Sequence, residues 1–153
     1  VNKTTIYRRW PTKSDLVRAT LGAFARVGEQ ADTGNLREDL VAHFAHVATL
    51  LRSPVGRGLV RTLQLERADP ELDRVLREHR ATQHRVRVGL FQRARERGEL
   101  PYNADLELLA ELVAAPIASR AKQGEQRVDR AFLEATIDVV LAGAAASARR
   151  RAR

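Results

Sequence analysis

The first residues of the chain carry side chains that bind phosphates and base edges in nucleic acids. The stretch VNKTTIYRRWPTKSDLV places Lys, Thr, Tyr and Arg around one Ile and one Trp. On a helix from about Lys3 to Arg9, closed by Pro11, Ile6 and Trp10 share an inward face because they are four residues apart. The polar side chains then lie on the other side, where Lys and Thr can reach base edges and Tyr and Arg can reach phosphates. The pattern favours DNA contact over a merely solvated basic surface.

The charge of the chain is concentrated at its two ends. The formal net charge is +8 over 153 residues. Residues 1–18 hold five basic side chains against one acidic side chain, and residues 149–153 hold four Arg. The remaining residues, 19–148, carry equal numbers of acidic and basic side chains. A neutral body with a basic end is typical of a protein that meets a polyanion only at that end. The basic tail 149–153 alone more often marks a disordered, solubilising terminus.

Several functional classes lack support in the sequence. Cysteine is absent, which excludes disulfides and thiolate metal sites. His43 and His46 share a helix with Asp39, but nothing else completes a metal shell, and ordinary surface or core histidines are the preferred interpretation. No catalytic motif or Gly-rich phosphate loop is evident, and we expect neither enzymatic activity nor a cofactor. No apolar run reaches the length of a membrane span, so a cytoplasmic protein without a membrane partner is expected.

Helical signals run along the whole chain and predict an all-α fold. Two capping boxes, Thr12–Asp15 and Asn35–Glu38, predict helix starts, as do Ser53-Pro54 and Asp69-Pro70. Apolar residues then recur at a spacing of 3.6 residues. The longest helix is predicted to end at Gly98 and to have a mixed inner face. That face comprises Leu72, Leu76, His79, Gln83, Val86, Leu90 and Ala94.

The last two predicted helices, about 105–121 and 130–147, are apolar on two faces. One face of the first carries Leu106, Leu109, Val113 and Ile117, and the equivalent face of the second carries Leu133, Ile137, Val140 and Ala144. A helix that is apolar nearly all round must be buried nearly all round. We expect the second face to meet another copy of the chain in a four-helix bundle, which makes the protein a homodimer. The residues assigned to this interface are Leu108, Leu112, Ala115, Ser119, Phe132, Ala135 and Val139.

The opening stretch closely resembles the second half of the helix-turn-helix of the TetR family of bacterial transcription regulators. That family follows roughly V-S-x-x-T-(L/I)-Y-x-(H/R)-(F/W)-x-(S/T)-K-x-x-L, and the match covers about the first 17 residues. Later segments also resemble one large subclass of the family. These are Arg52-Ser-Pro-Val-Gly-Arg57, Asp69-Pro-Glu-Leu72, Arg97-Gly-Glu-Leu100 and Pro116 within an apolar helix, while the stretch 116–124 is shorter than the family pattern.

The resemblance implies a domain organisation and a set of DNA contacts. Residues 1–28 would be the end of a helix-turn-helix domain and its linking helix, 29–148 a ligand-binding and dimerisation domain, and 149–153 a basic tail. Since the sequence begins at Val1 and contains no Met, we expect the first two helices of the DNA-binding domain to precede it. The residues that the resemblance assigns to double-stranded operator DNA are Lys3, Thr4 and Thr5, over bases, and Tyr7 and Lys13, on phosphates. Arg8 joins this set because it lies on the same polar side of the opening helix.

The resemblance also implies a ligand-responsive repressor. The family binds small molecules between its central helices, and His79 and Gln83 could place hydrogen-bonding groups in such a cavity. The full set assigned to a small-molecule effector is Phe44, Val47, Leu63, His79, Gln83 and Val113. The expected function is a repressor that binds a palindromic operator as a homodimer and is released by an apolar or amphipathic ligand. Two alternatives remain: a helical small-molecule carrier or enzyme without DNA affinity, and an adaptor whose apolar faces bind another protein.

Overall fold

Six helices make up the part of the chain that the structure, a computed structural model, describes, namely residues 8–25, 32–65, 69–123 and 128–151. No strand occurs in these ranges, and the predicted all-α class is confirmed. None of the described helices combines the length and apolar character needed to cross a bilayer. The helices are α1 (Lys13–Ala25), α2 (Leu36–Arg52), α3 (Pro54–Leu65), α4 (Pro70–Glu96), α5 (Leu106–Gln123) and α6 (Arg130–Arg151).

Local hydrogen bonds begin the helices where the sequence predicts. In the first capping box, the backbone N–H of Asp15 donates to Thr12 Oγ1 at 3.1 Å, and the N–H of Thr12 donates to Asp15 Oδ2 at 3.2 Å. Asp69 caps α4 by accepting from two backbone N–H groups, at 2.9 and 3.1 Å. Gly98 follows α4 with φ +80°, a conformation that glycine adopts at little cost. These predicted boundaries are confirmed.

The second predicted capping box is only half formed. Asn35 Oδ1 accepts from the backbone N–H of Glu38 at 3.0 Å, which confirms Asn35 as the cap. A complete capping box would also have a bond from the Asn35 N–H to the Glu38 carboxylate. This part of the prediction is wrong, because the Asn35 N–H donates to Thr33 Oγ1 at 3.3 Å. Thr33 lies two residues before the cap and offers a nearer acceptor.

Two separate hydrophobic clusters hold the helices together, and α4 belongs to both. The main core joins the C-terminal half of α4 to α2, α5 and α6 through buried residues that include Phe44, Phe91, Val113, Leu133 and Ile137. The smaller cluster joins Val17 and Leu21 of α1 to Leu72 and Val75 of α4, with Leu59 of α3 packed against it. The position of α1 relative to the rest of the chain therefore depends on the N-terminal half of α4.

A buried carboxylate fixes the start of α2 against the end of α4. Asp39 is 1% exposed and accepts from both the N–H and the hydroxyl of Thr33, each at 2.8 Å. The Arg97 guanidinium lies 3.6 Å from the same carboxylate and also donates to Glu99 at 2.6 Å. Glu99 in turn accepts from the first backbone N–H of α2, that of Leu36, at 2.7 Å. Buried charges of this kind persist only when each is paired and hydrogen-bonded.

The corner between α2 and α3 is closed by a glycine. Ser53 separates the two helices and caps α3 by accepting from the Gly56 N–H at 3.0 Å. A Cβ atom on Gly56 would collide with the carbonyl oxygen of Leu50, which belongs to the backbone of α2 and has little room to move. Gly58, two residues further along and exposed, has no atom within 4 Å of the equivalent position. The close approach of the two helices thus requires glycine at one position and not at the other.

We predict opposite effects for the same substitution at these two glycines. Gly58→Ala should stabilise the fold by about 0.5–1 kcal/mol, because alanine is the better helix former. Gly56→Ala should destabilise it by about 1–3 kcal/mol, because the added methyl group forces α2 and α3 apart. Urea unfolding at one fixed protein concentration measures both free energies. An equal stabilisation by the two substitutions would show that the helices do not approach as described.

Candidate DNA-binding end and apolar α5/α6 face

The described residues at the start of the chain form an exposed basic surface. Arg8 and Arg9 are helical and exposed, and Pro11 lies in the bend that follows. The Arg9 guanidinium stands 5.2 Å from the ring centre of Trp10, which is half-buried, a distance typical of a cation–π contact. Four of the six residues assigned to DNA lie outside the described residues, namely Lys3, Thr4, Thr5 and Tyr7.

Lys13 sits at the N-terminus of α1, next to the capping box. It is the first residue of the helix and is exposed. Backbone N–H groups at a helix N-terminus attract anions, and a cation placed there adds to that field. A phosphate at this position would meet both the backbone N–H groups of the helix and the ammonium group, which is the chemistry expected of a DNA-backbone contact.

Helix α1 is fastened to α4 mainly by apolar packing. Val17 and Leu21 are buried against Leu72, which is 1% exposed. One ion pair supplements this contact: Arg18 Nη1 lies 2.9 Å from Glu78 Oε2, with both side chains about half exposed. Exposed pairs contribute little to stability, whereas buried leucine side chains contribute several times more. The basic start of the chain is thereby coupled to the long helix through side-chain packing.

Helices α5 and α6 have one face in the core and one face exposed, as predicted from their two apolar faces. On α5, Leu109, Val113 and Ile117 are buried, whereas Leu108 and Leu112 are 48% and 47% exposed. On α6, Ile137 is buried and Val139 is 73% exposed. Between the exposed faces lies an apolar groove with a volume of about 620 Å³. We call this surface the α5/α6 face.

Five of the seven residues assigned to the dimer interface line this groove together: Leu108, Leu112, Phe132, Ala135 and Val139. The other two, Ala115 and Ser119, are exposed on α5 outside the lining. The groove also includes Pro116, Gly143 and Ser147, which the sequence interpretation did not assign. Continuing from Val139 in steps of four would have found the last two. The Arg120 guanidinium stacks 3.5 Å from the ring centre of Phe132 at one side of this face.

The residues assigned to a ligand have different surroundings. Phe44 and Val113 are buried in the main core, and Val47 is half-buried on α2. The side chain of Leu63 lies outside the described residues. His79 and Gln83 are half-buried on α4, between the two hydrophobic clusters, where burial and the nearby Arg87 lower the pKa of His79. None of the five whose side chains are described lines the groove on the α5/α6 face.

The histidines of α2 do not gather a metal-binding group. The Asp39 carboxylate accepts a hydrogen bond from Thr33 and lies beside the Arg97 guanidinium. His43 is buried, and its ring packs edge-to-face with that of Phe44 at a centroid distance of 5.0 Å. Within the ranges that the structure describes, no three His, Cys, Asp or Glu side chains come close enough to hold a metal ion.

Comparisons with known proteins identify relatives across almost the whole chain. Residues 30–140 match the family model described as the Tetracyclin repressor-like, C-terminal domain. The chain is 32% identical over 151 residues to a Mycobacteroides abscessus protein named DNA-binding transcriptional repressor TetR. The match covers 92% of this chain and 75% of that protein. It is 30% identical over 146 residues to an uncharacterized HTH-type transcriptional regulator of Mycobacterium bovis, covering 92% and 70%. The crystal structure of the TetR family transcription regulator SCO0332 superposes with a TM-score of 0.76 at 27% identity, covering 94% of this chain and 80% of that one.

Packing and the surface ion pair should contribute very differently to the attachment of α1. Leu72→Ala should destabilise the protein by about 2–5 kcal/mol, because it leaves a cavity between α1 and α4. Arg18→Ala should cost about 1 kcal/mol or less, because its ion pair with Glu78 is exposed to solvent. Urea unfolding compares the two variants under identical conditions. Equal losses would mean that the ion pair contributes as much as the apolar cluster, which would contradict attachment mainly by packing.

Proposed function

Because the chain belongs to the TetR family of DNA-binding transcription regulators, we propose that it is a ligand-responsive repressor that binds a palindromic operator as a homodimer. The observation that carries the proposal is the exposed α5/α6 face on a chain whose relatives are named transcription regulators. Two identical DNA-reading ends can be aligned on a palindrome only if a two-fold interface fixes their separation. The apolar groove between α5 and α6 is suited to that task.

In the proposed dimer, α5 and α6 of each subunit pack against the same helices of the partner. The four helices then form a bundle around a two-fold axis, with the groove residues Leu112, Phe132 and Val139 near its centre. Apolar side chains as exposed as Leu112 and Val139 are energetically costly in water when they cluster. Burial against an identical face removes this cost on both subunits at once. The remaining proposed contacts are Leu108, Ala115, Ser119 and Ala135.

The proposed DNA contacts divide into base-reading and backbone-binding residues. Lys3, Thr4 and Thr5 would face base edges in the major groove, while Tyr7, Arg8 and Lys13 would hold phosphates. The two subunits would enter successive major grooves, about one helical turn of DNA apart. Residues 1–28 are thus proposed as the DNA-binding part, 29–148 as the regulatory and dimerisation part, and 149–153 as a basic tail. Acting on a bacterial chromosome, the protein would work in the cytoplasm.

A small molecule is proposed to control DNA binding through α4. It would lie beside His79 and Gln83, with Val47 and Leu63 nearby and with Phe44 and Val113 behind them. A ligand can release DNA only if it binds one arrangement of the helices more tightly than the other. The proposed change is a pivot of α1, which rests on the N-terminal half of α4 through Leu72. The two DNA-reading ends would then no longer match the spacing of the grooves.

Substitutions in the opening stretch should separate phosphate contacts from base contacts. Tyr7→Ala should weaken binding to all DNA sequences by a similar factor, because a phosphate contact carries no sequence information. Thr4→Ala should instead change which bases are preferred, with about 1–3 kcal/mol less discrimination at one position. The complete gene product is used for selection from a random duplex library, followed by mobility-shift titrations on selected and random DNA. Unchanged affinity of the Tyr7 variant for both would contradict the phosphate assignment.

A charge on the α5/α6 face should break the dimer. Leu112→Arg should give a monomer, because a buried guanidinium without a partner near the bundle centre costs several kcal/mol. Val55→Arg is the matched control, since Val55 is 56% exposed on α3 and lies outside the groove. Light scattering after size-exclusion chromatography measures the mass of each variant at equal concentration. A dimer in both variants would place the interface elsewhere, and a monomeric parent protein would remove the proposed interface altogether.

A further inference from the structure

The middle of α4 is unlike its two ends. Its N-terminal half enters the smaller hydrophobic cluster through Leu72 and Val75, and its C-terminal end enters the main core through Leu90, Phe91 and Ala94. Between these contacts, from residue 76 to residue 89, no side chain is buried. The surface of the helix is therefore only partly covered by protein along this stretch.

Three polar side chains lie along one side of this stretch. His79, Gln83 and Arg87 are spaced by four residues, which places them in one row along the helix, and all three are half-buried. Neither His79 nor Gln83 makes a hydrogen bond to any described residue. We call these three residues the polar face of α4.

Other charged residues of α4 are paired with protein groups. On the exposed side, Arg74 lies 3.2 Å from Glu78, Arg77 pairs with Asp73, and Arg85 donates to Thr82 at 3.1 Å. These contacts join residues three or four apart and need no ligand. The polar face of α4 differs from this exposed side, because its residues are less exposed to solvent and yet have fewer hydrogen-bond partners in the protein. Half-buried polar groups without protein partners indicate that something else, water or a ligand, meets them.

Arg87 is the fixed cation of this face. Its Nε donates to the backbone carbonyl oxygen of Ala110 in α5 at 3.3 Å, which orients the guanidinium. No carboxylate among the described residues lies within 4 Å of it, and no described protein atom accepts from its two terminal nitrogens. Burial lowers the pKa of Arg87, but the ordinary value of an arginine is so far above neutral that the group stays charged. An oriented guanidinium with two uncommitted terminal nitrogens matches the two oxygens of a carboxylate.

The neighbours of Arg87 fit a monoanion with an apolar body. Burial and the Arg87 charge lower the pKa of His79, so its ring is neutral near pH 7 and Arg87 carries the only charge of the three. Gln83 adds an uncharged amide that donates and accepts hydrogen bonds. The row begins and ends at apolar clusters, and half-buried Leu76 and Val86 lie beside it on the same helix. One cation, neutral polar groups and apolar flanks match a carboxylate at the end of an apolar body.

We propose that the polar face of α4 binds the carboxylate of an amphipathic small molecule, with Arg87 as the residue that anchors it. This inference rests on the proposed function, in that it names the chemical class of the effector bound beside His79 and Gln83. It also gives a function to a half-buried arginine that has no carboxylate partner among the described residues. Arg87 binds the carboxylate of the ligand, and the apolar body of the ligand lies beside the two hydrophobic clusters.

The test uses three probes of equal chain length with the full chain, without DNA. Isothermal titration calorimetry measures binding of decanoate, decanol and decylamine. Decanoate should bind, decanol should bind at least about tenfold more weakly, and decylamine should not compete with decanoate, since charge-assisted hydrogen bonds discriminate on this scale. Arg87→Gln should weaken decanoate binding by about tenfold or more and leave decanol binding unchanged. Arg85→Gln removes the same charge two residues away on the exposed side and should leave both affinities within about twofold.

Several outcomes would overturn the inference. These are equal binding of decanoate and decanol, equal losses from Arg87→Gln and Arg85→Gln, or no binding of decanoate by the parent protein. Arg87→Lys keeps the charge but loses the paired terminal nitrogens, and it should bind decanoate with intermediate affinity. Urea unfolding of each variant shows whether it folds. If Arg87→Gln does not fold, the decanoate affinity of Arg87→Lys tests the inference in its place. Operator binding is measured separately: Arg87-dependent decanoate binding without operator binding would refute the proposed function alone, and the reverse result would refute this inference alone.

Discussion

One long helix, α4, belongs to two hydrophobic clusters, and the arrangement of every other described helix depends on this. A helix of 27 residues spans about 40 Å, so its ends lie in different environments while its backbone hydrogen bonds keep them in a fixed relation. Its first half holds α1 and touches α3, and its second half packs with α2, α5 and α6. The basic start of the chain and the α5/α6 face are therefore connected by a rigid element, although few side chains bridge them directly.

The second constraint is that α5 and α6 are apolar on opposite sides. A single chain can bury only one side of each, and the structure uses Val113 and Ile137 for that purpose. The other side, with Leu112 and Val139, stays exposed in an isolated subunit. Because the helices are paired with each other, their exposed sides form one continuous groove and not two scattered patches. This continuity makes a self-complementary interface, as proposed above, the simplest way to satisfy both helices.

The sequence predicts those features that depend on neighbouring residues. The caps at Thr12 and Asp69 and the ends of α4 follow from short-range hydrogen bonds and glycine conformation, and the structure contains them. The link between Glu99 and the start of α2 joins residues 63 positions apart, and no local pattern reveals it. Periodicity also cannot distinguish a core side chain from one that lines a cavity, so the sequence assigns Phe44 and His79 to the same ligand site although only Phe44 is buried in the core. Arg87 was missed because the pairing of one arginine among many is a tertiary property.

The same geometry limits how a ligand beside the middle of α4 could affect DNA. Such a ligand would lie between the two clusters and could reach α1 only through α4 or through the side chains packed on it. The Arg18–Glu78 ion pair is too exposed to transmit much energy, whereas Leu72 is closely packed and buried against Val17 and Leu21, so that a displacement of Leu72 must also displace these two side chains. A small rotation of α4 that lets Arg87 bind a carboxylate would rotate Leu72 in the same direction, because both side chains extend from one rigid helix. Coupling by rotation of a shared helix needs no chain of polar contacts, only a ligand that prefers one of the two positions.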